Sequence, residues 1–399
     1  MTDNKFGLFI HWGLYSYFKV QDQVFVRFDM DREKYEDAIN HFNPVLYDPE
    51  KWVLEAKKAG MKYVCFTTKH HDGFCMWDTK FTDYNIMNTP YGKDVLKALS
   101  EACKKHGIKL SLYYSNPDWN YEYGFNPQGT FQWKAKNKEC PDFDRYKQYI
   151  KNQITELLTN YGEIYTLFWD IPPRVEDESI NELVRKLQPN IYINDRGFSK
   201  GDFATPERDY EDEEGCNRFE RMTEACNSIG EQSWGYREEE DYHSIRYLTM
   251  SIDKIMARGG SYLLNIGPKP DGTFSDVAVE MLAKVGDWYQ RMEGCLEGTE
   301  EDSYEYEVKK HKFIVNKKNG KSYFHFYEGI CSSAICFEKY PNVPKSVHLM
   351  NTGKQLSFKR ELMPEYFVFD TGRAIEMLHI SGIPIDTLEH EPIVLEIEW

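Results

Sequence analysis

The segment 67–74, TTKHHDGF, places two adjacent histidines and an aspartate directly after the apolar run KYVCF. An apolar run of this length predicts a buried strand. Polar, titratable side chains at the end of such a strand need a partner, a ligand or an open cleft, because burying them unpaired is costly. His70, His71 and Asp72 are therefore candidates for metal binding, acid–base chemistry or ligand binding, or for hydrogen-bonded packing.

Four other predicted strands end in similar side chains. Asp170 is the most informative, because a carboxylate that directly follows the apolar run YTLFW needs a partner or a cleft. Any one of these residues alone is compatible with ordinary packing, but five strand ends of this kind indicate a site. The other strand-end residues are His11 and Trp12 after LFI, Tyr113 in LSLYYS, and Arg196 after IYIND.

Several chemistries fit this set of side chains. His11, His70, His71 and Asp170 could together hold a metal, although adjacent histidines on one strand would point to opposite faces. A serine nucleophile on a strand-to-helix elbow is not favoured by this set of side chains. Histidine, tyrosine, tryptophan and arginine beside carboxylates suit a neutral, hydroxyl-rich ligand better.

Hydrolysis of a glycosidic bond requires two carboxyl groups, one on each side of the bond. Asp170 supplies the first. The second is expected in the loop that follows Arg196, where Glu207 lies in GDFATPERDY and Glu224 in RMTEACNSIG. Glu207 is the preferred acid/base and Glu224 the alternative.

The elements that must position these residues alternate between strand and helix over about the first 290 residues. In YDPEKWVLEAKKAG, for example, Asp48 can cap a helix, Pro49 suits its first turn and Gly60 ends it. The strands are apolar throughout, which is typical of a parallel sheet covered by helices. No glycine-rich phosphate loop follows the first strand, so a (β/α)8-type barrel is favoured over a dinucleotide-binding sheet. Active sites of such barrels lie at the carboxyl ends of the strands.

The pattern changes near residue 297. A hairpin is predicted at Asn319–Gly320, and short strand-like runs follow, including YFVFD at 366–370. These runs predict a small antiparallel β-sandwich. We therefore expect an α/β chain with two domains, a catalytic (β/α)8-like barrel at 1–297 and a β-sandwich at 298–399.

Composition excludes several classes of function. The formal net charge of the 399 residues is −16, which argues against nucleic-acid binding. The chain has nine cysteines but no CxxC pair, so no structural zinc site is expected. No apolar segment approaches the length of a membrane span or signal peptide, which predicts a cytoplasmic protein as written, although a trimmed secreted or periplasmic form would look the same. The acidic run Glu211–Glu214 predicts a solvated loop.

Several motifs, taken together and in order, resemble the α-L-fucosidases of glycoside hydrolase family 29. The resemblance extends from Phe6 to about Thr299. The segments TTKHHDGF and LLNIGPKPDG are especially typical of that family. The motifs are FGLFIHWGLYS, KYVCFTTKHHDGFCMWDTKFTDYN, LSLYYS, LFWD, NDRG, GDFATPE, SWGY and GGSYLLNIGPKPDGTF.

The resemblance implies a retaining exo-glycosidase that needs no cofactor and acts on fucosylated oligosaccharides or glycoconjugates. Asp170 matches the family nucleophile, and Arg196 matches the arginine that orients the acid/base region. Glu207 and Glu224 match two recurring glutamates that are candidates for the acid/base. The remaining substrate-binding candidates are His11, His70, His71 and Tyr113 for the fucose hydroxyls, Phe168 and Trp234 for the apolar side near the C6 methyl, and Trp12.

The chain departs from the family pattern in two places. Family members usually carry a Glu-Trp pair in the loop after the first strand, where this chain reads QDQVFVRFDM; Asp22 or Asp29 would have to replace that glutamate. The nucleophile motif reads FWDIPP rather than the commoner WxDG form. Two alternatives therefore stay open: a catalytically weak or dead fucose-binding barrel protein, and a metal-dependent barrel hydrolase using His11, His70, His71 and Asp170. The linkage, the natural glycan and the oligomeric state are not predicted.

Overall fold

The structure, a computed structural model, describes most of the chain. Two segments named above, the acidic run Glu211–Glu214 and the run at 366–370, lie outside the described residues. The described ranges are 4–124, 134–137, 142–208, 218–328, 330, 332–364, 374–388 and 390–399.

A curled sheet of seven parallel strands forms the centre of the larger part of the chain, in the order β5-β4-β3-β2-β1-β7-β6. Every residue of β1, β2, β4, β6 and β7 is buried, as expected for a sheet enclosed by helices. The strands are β1 (Phe6–Ile10), β2 (Tyr63–Lys69), β3 (Lys109–Ser115), β4 (Ile164–Asp170), β5 (Tyr192–Ile193), β6 (Glu224–Ser228) and β7 (Ser261–Ile266).

An irregular segment, residues 203–207, closes the gap between the edge strands β5 and β6. Phe203 pairs in parallel with Asn194 on one side, and Glu207 pairs in parallel with Cys226 on the other. Pro206 has no N–H to donate, but its carbonyl accepts from the Cys226 N–H at 3.1 Å. The predicted (β/α)8-type barrel is thus confirmed, with this segment in place of a regular eighth strand.

Most of the longer helices begin at a residue whose side chain accepts a hydrogen bond from a backbone N–H of the first turn, an interaction worth about 1 kcal/mol. These capping residues are Asp48, Asp94, Asp142, Asp177, Ser244 and Ser275. The helices are α1 (Val24–Arg27), α2 (Arg32–Glu36), α3 (Pro49–Lys58), α4 (Val95–His106), α5 (Phe143–Asn160), α6 (Glu178–Leu187), α7 (Ile245–Ala257) and α8 (Asp276–Leu296). Among the described residues, every helix is too short or too polar to cross a lipid bilayer.

Two antiparallel sheets follow α8, with the orders β14-β13-β17-β11-β10-β8 and β15-β16-β12-β9. The predicted hairpin joins β10 to β11, and both turn residues, Asn319 and Gly320, have positive φ, as a tight two-residue turn requires. The strands are β8 (Glu300–Glu301), β9 (Glu307–Val308), β10 (Ile314–Lys318), β11 (Lys321–Phe326), β12 (Ala334–Lys339), β13 (Ser346–Leu349), β14 (Lys354–Gln355), β15 (Ser357–Pro364), β16 (Ala374–Ser381) and β17 (Ile393–Glu398).

Buried polar contacts join these sheets to the last two barrel helices. His325 of β11 and Asp253 of α7 are both wholly buried, and Nδ1 of the histidine lies 2.8 Å from Oδ1 of the aspartate. Asn316 of β10 donates to the carbonyl oxygens of Ala257 and Cys295, at the ends of α7 and α8. The sandwich therefore packs on the barrel through specific hydrogen bonds, while the domain division at residues 297 and 298 stays a prediction.

Candidate active site

A pocket of about 400 Å³ opens at the carboxyl ends of the barrel strands. Its volume lies in the range of small-molecule binding sites. The site residues predicted from the sequence line it, with the exception of Trp12, Asp29, Asp72 and Glu224. The lining residues are Phe9, His11, Gln21, Asp22, Gln23, Arg27, His70, His71, Tyr113, Phe168, Asp170, Ile171, Arg196, Glu207, Arg208, Cys226, Gln232 and Trp234.

Asp170, the last residue of β4, lies at the base of this pocket with its carboxylate fully hydrogen-bonded. Oδ2 accepts from the Tyr113 hydroxyl at 2.7 Å, and Oδ1 accepts from Arg196 Nη1 at 3.0 Å. The backbone N–H of Ile171 also donates to Oδ1, at 2.9 Å. Burial by itself raises the pKa of Asp170, but the Arg196 guanidinium and the Tyr113 hydroxyl outweigh it and hold the pKa below its usual value. The carboxylate is therefore charged and held in one orientation.

The backbone directly after Asp170 is strained. Ile171 has φ +57°, a left-handed conformation that a β-branched residue rarely adopts. Such strain concentrates at functional sites, where the surrounding structure holds it in place. The strained residue directly follows the end of β4, and its N–H donates to the carboxylate of Asp170.

Arg196 joins the two candidate catalytic carboxyl groups. Its Nη1 contacts both Asp170 Oδ1 and Glu207 Oε1, and its Nη2 donates to the carbonyl of Thr205 at 2.5 Å. Two oxygens that bond to one nitrogen lie within about 6 Å of each other, because each hydrogen bond is about 3 Å long. Retaining glycosidases hold their carboxyl groups about 5–5.5 Å apart, whereas inverting enzymes need about 6.5–9.5 Å. The arrangement matches a retaining pair.

Glu207 lies at the edge of the pocket, on the segment that closes the barrel, and 39% of its side chain is exposed. Its environment favours the protonated form. Partial burial raises the pKa of Glu207 and so does the charge of Asp170, and together they outweigh the opposing effect of Arg196. A carboxyl group with a raised pKa beside one with a lowered pKa is the usual division between acid and nucleophile.

Glu224 does not reach the pocket, so the structure does not bring the alternative acid/base to Asp170. It is the first residue of β6 and pairs with Ser261, at the start of β7. Asp170, in contrast, is the last residue of β4. Glu224 and Asp170 therefore lie near opposite ends of the barrel, separated along its axis by about four residues of strand, or roughly 13 Å. The expectation that Glu224 lies in a loop is also wrong, because its side chain is wholly buried and accepts from the Tyr63 hydroxyl at 2.5 Å.

His11 and His71 are neutral and present their Nε2 atoms as hydrogen-bond acceptors. Asn265 donates to Ser228 Oγ and Trp234 O, so its Oδ1 must accept the His11 Nδ1 proton at 2.7 Å. Ser115 donates to Pro117 O and therefore accepts from His71 Nδ1 at 2.6 Å. Burial lowers the pKa of His11 to about 4 and also lowers that of His71. Neutral imidazoles in fixed tautomers suit hydroxyl groups as ligands.

His70 and His71 both line the pocket, with ring centroids 4.0 Å apart. The prediction that they point to opposite faces is wrong, because β2 ends at Lys69 and the two residues lie in the turn beyond it. Asp72 turns away instead and accepts from the Tyr35 hydroxyl at 2.6 Å and the Phe74 N–H. Its role in this structure is to hold the turn.

Phe168 and Trp234 form the apolar side of the pocket. The Phe168 ring packs against Tyr113 with centroids 5.9 Å apart, and the Trp234 ring stacks on His11 at 5.2 Å. Trp12, in contrast, is wholly buried outside the pocket; it packs among aromatic residues such as Trp52, and its indole N–H donates to Lys269 O. The prediction of Trp12 as a substrate-binding residue is therefore not supported by its position.

Asp22 lies in the loop after the first strand and lines the pocket. It is buried, and Oδ1 accepts from the Trp234 N–H at 3.0 Å and from Ser233 Oγ at 3.2 Å. Asp29 lies elsewhere, with 95% of its side chain exposed and a 2.7 Å contact to Lys134. Of the two candidates for replacing the missing glutamate, the structure places only Asp22 in the pocket.

Some pocket residues were not predicted from the sequence. Arg27, Arg208 and three glutamines line the mouth, in segments without a strand signal. Asn265 does not line the pocket but accepts from His11 Nδ1, and it was also missed, although it is a buried polar residue near the end of the apolar run SYLLNI, the same signal that identified His11 and Asp170. Applying that criterion to every predicted strand would have found it.

The metal-dependent alternative is not favoured by this geometry. Within the described ranges, no group of three or more histidine, cysteine, aspartate or glutamate side chains is arranged to hold a metal ion. The Nδ1 atoms of His11 and His71 are hydrogen-bonded to Asn265 and Ser115. The carboxylate of Asp170 is hydrogen-bonded to Tyr113 and Arg196. A parallel barrel with a polar pocket and two closely spaced carboxyl groups of opposite pKa shift is characteristic of a retaining glycoside hydrolase.

Comparison with known proteins identifies the family. A family profile described as alpha-L-fucosidase matches residues 1–293. The chain belongs to the α-L-fucosidase family, glycoside hydrolase family 29.

Similar proteins and solved structures are also described as alpha-L-fucosidases. The chain is 28% identical over 324 residues to the tissue alpha-L-fucosidase of Rattus norvegicus, covering 72% of this chain and 66% of that protein. It is 25% identical over 364 residues to the alpha-L-fucosidase of Dictyostelium discoideum, covering 82% and 77%. The structure of alpha-L-fucosidase isoenzyme 1 from Paenibacillus thiaminolyticus superposes with a TM-score of 0.83 at 29% identity, covering 100% of this chain and 97% of that one. The chain thus spans about two thirds of the rat protein and nearly the whole of the bacterial one.

Proposed function

We propose that the protein is a retaining α-L-fucosidase that releases terminal α-L-fucosyl residues from glycans or glycoconjugates. The observation that carries the proposal is the contact of Asp170 and Glu207 with the same nitrogen of Arg196. The contact supports the proposal because two carboxyl oxygens that bond to one nitrogen lie within about 6 Å of each other, close to the separation of about 5–5.5 Å in a retaining pair.

In the first step, Asp170 attacks the anomeric carbon and forms a glycosyl ester, while Glu207 donates its proton to the departing oxygen. Asp170 suits the role of nucleophile because it is charged and held by Tyr113 and by the Ile171 N–H. Glu207 suits the role of acid because its raised pKa keeps a proton available. In the second step, Glu207 takes a proton from water, and the water attacks the ester and releases fucose.

The substrate is bound, in this proposal, by groups of two kinds. His11, His70 and His71 accept or donate hydrogen bonds to the sugar hydroxyls, and Asp22 accepts from one of them. Phe168 and Trp234 contact the apolar side of fucose, which carries a methyl group at C6. The acceptors are fixed before binding, because Asn265 and Ser115 hold two of the imidazoles in place.

Turnover of an aryl α-L-fucoside tests the proposal, with proton NMR used to follow the anomer that forms first. Retention of configuration is expected, whereas early appearance of the inverted anomer would exclude double displacement. Asp170→Ala should lose several orders of magnitude in kcat, and azide should restore part of the rate as a fucosyl azide of inverted configuration. Fucose binding without any turnover would instead favour the catalytically dead binding protein.

A further inference from the structure

Two arginines at the mouth of the pocket have no role in the mechanism above. Arg27 and Arg208 both line the pocket, and neither lies within salt-bridge distance of a carboxylate in the part of the chain that the structure describes. Arg27 is exposed, and its Nε donates to Gln23 Oε1 at 3.2 Å. The guanidinium of Arg27 is therefore hydrogen-bonded to a neutral side chain.

Arg208 is positioned by an unusual backbone conformation. It directly follows Glu207 on the segment that closes the barrel, and it has φ +51°, which is rare for a long side chain. Its guanidinium carbon lies 4.7 Å from the centroid of the Trp234 ring, and Nη1 donates to the carbonyl of Glu231. Its Nε is buried and has no acceptor among the described residues. The turn thus brings a cation to the pocket wall, where Glu207 and Glu240 act on its charge without forming a salt bridge to it among the described residues.

The charge balance of the pocket differs from that of the whole chain. Three arginines line the pocket, and Arg196 alone serves both catalytic carboxyl groups. When Glu207 carries the proton that the reaction needs, Asp22 and Asp170 are the charged carboxylates among the described lining residues, against three arginines. The lining residues then carry one net positive charge, although the chain has a net charge of −16. Charge in a cleft with low-dielectric walls acts on a ligand more strongly than the same charge on an open surface.

From these contacts, we propose that Arg27 and Arg208 form a leaving-group subsite for an anionic group, a carboxylate or a sulfate ester on the residue next to fucose. The inference rests on the proposed fucosidase activity and names the class of substrate. Guanidinium groups bind both anions through paired hydrogen bonds, and both arginines line the pocket in which the catalytic carboxyl groups lie. Gln21, Gln23 and Gln232, which also line the mouth, supply neutral hydrogen-bonding groups to the rest of the leaving group.

Three aryl α-L-fucosides test this subsite: 4-carboxyphenyl, 4-sulfophenyl and the neutral 4-carbamoylphenyl glycoside. The quantity to compare is the ratio of kcat/KM for each anionic substrate to that for the neutral one, in wild type, Arg27→Gln, Arg208→Gln and the double variant. Intrinsic differences between leaving groups cancel when the ratio of a variant is divided by that of wild type. Damage to folding lowers both rates and also cancels. Arg185→Gln, which removes an exposed arginine of α6 outside the pocket, is the matched control.

We expect the ratio to fall at least about tenfold in the double variant, the effect of one lost charge-assisted hydrogen bond, and to stay constant in the control. The sulfonate stands in for a sulfate ester, and the substrate whose ratio falls more, carboxylate or sulfonate, identifies the preferred anion. An unchanged ratio in all variants, with the neutral fucoside still hydrolysed, would overturn the subsite and leave the fucosidase assignment intact. Failure of wild type to hydrolyse even the neutral fucoside would overturn both.

Discussion

The hydroxyl of Tyr113 donates a hydrogen bond of 2.7 Å to Oδ2 of Asp170, across the neighbouring strands β3 and β4. Burial and the adjacent charge of Asp170 raise the pKa of Tyr113 well above its usual value, so the phenol keeps its proton and acts only as a donor. The bond favours the charged form of Asp170 and lowers its pKa. It therefore links a substrate-site tyrosine to the protonation state of the proposed nucleophile.

Tyr113→Phe should move the acidic limb of the pH profile of kcat/KM to higher pH. Removing the donor destabilises the carboxylate, so Asp170 takes up a proton at a higher pH than in wild type. We also expect kcat to fall by about 10–150-fold, since a hydrogen bond to a charged group contributes about 1.5–3 kcal/mol. The check is a pH–rate profile with an aryl α-L-fucoside. A lower rate with an unmoved acidic limb would mean that the hydroxyl serves the sugar and not Asp170.

Glu207→Ala should separate substrates by the quality of their leaving groups. General acid catalysis contributes about 10²–10⁴-fold, and an activated aryl group needs little of it. We expect kcat/KM to fall far more for a fucosyl disaccharide than for a dinitrophenyl fucoside. Glu224→Gln, at the opposite end of the barrel, should change kcat/KM by the same factor for both substrates. If Glu224→Gln produced the selective loss and Glu207→Ala did not, the acid/base would have to be reassigned.

The positions of most site residues follow from a simple rule. Apolar runs such as YVCF and YTLFW mark strands that are buried on both faces, and parallel strands bring their carboxyl ends together. His11 and Asp170, far apart in the sequence, are found at the pocket for that reason alone. The rule needs no knowledge of how the strands are ordered.

The same rule failed where a strand carries no apolar run. Strand β6 reads EACNS, so Glu224 resembled a loop residue; only the fold shows that it lies inside the barrel against Tyr63. Segment 203–207 contains a proline and forms isolated bridges rather than a ladder, so its pairing depends on the edges of β5 and β6 being close. Trp12 was misplaced because an aromatic residue at a strand end suits a core and a pocket equally well.

Glu224 should make the stability of the protein depend on pH near neutrality. Its side chain is wholly buried, Oε1 has no partner among the described residues, and burial raises its pKa from 4.5 to about 7. A carboxyl group with a raised folded-state pKa favours folding below its unfolded pKa and loses that contribution as pH rises through the folded value. The loss between about pH 4.5 and 7 is on the order of 3 kcal/mol, at 1.36 kcal/mol for each pKa unit.

Glu224→Gln removes this titration. Relative to wild type, the variant should gain stability from about pH 4.5 to pH 7 and level off above that, because over this range the unfolded wild type ionises Glu224 while the folded protein keeps it protonated. Urea-unfolding midpoints of both proteins, taken at several pH values, measure the difference and cancel the other titrating groups. A difference that stays constant across this range would show that Glu224 does not titrate there.

Asp22→Asn should weaken recognition of one particular sugar hydroxyl. The amide can still accept from the Trp234 N–H, as Oδ1 of Asp22 does, so the adjacent loop keeps its anchor. What is lost is a carboxylate acceptor in the pocket, worth about 1.5–3 kcal/mol, or roughly 10–150-fold in kcat/KM on an aryl α-L-fucoside. The 2-, 3- and 4-deoxyfucosides identify its partner: for the analogue that lacks the bound hydroxyl, wild type and variant should differ little, whereas the other two should show the full loss. Asp29→Asn, at an exposed residue paired with Lys134, is the control and should behave as wild type. An equal loss on all three deoxy substrates would mean that Asp22 acts by holding Ser233 and Trp234 in place, and that it does not contact the sugar.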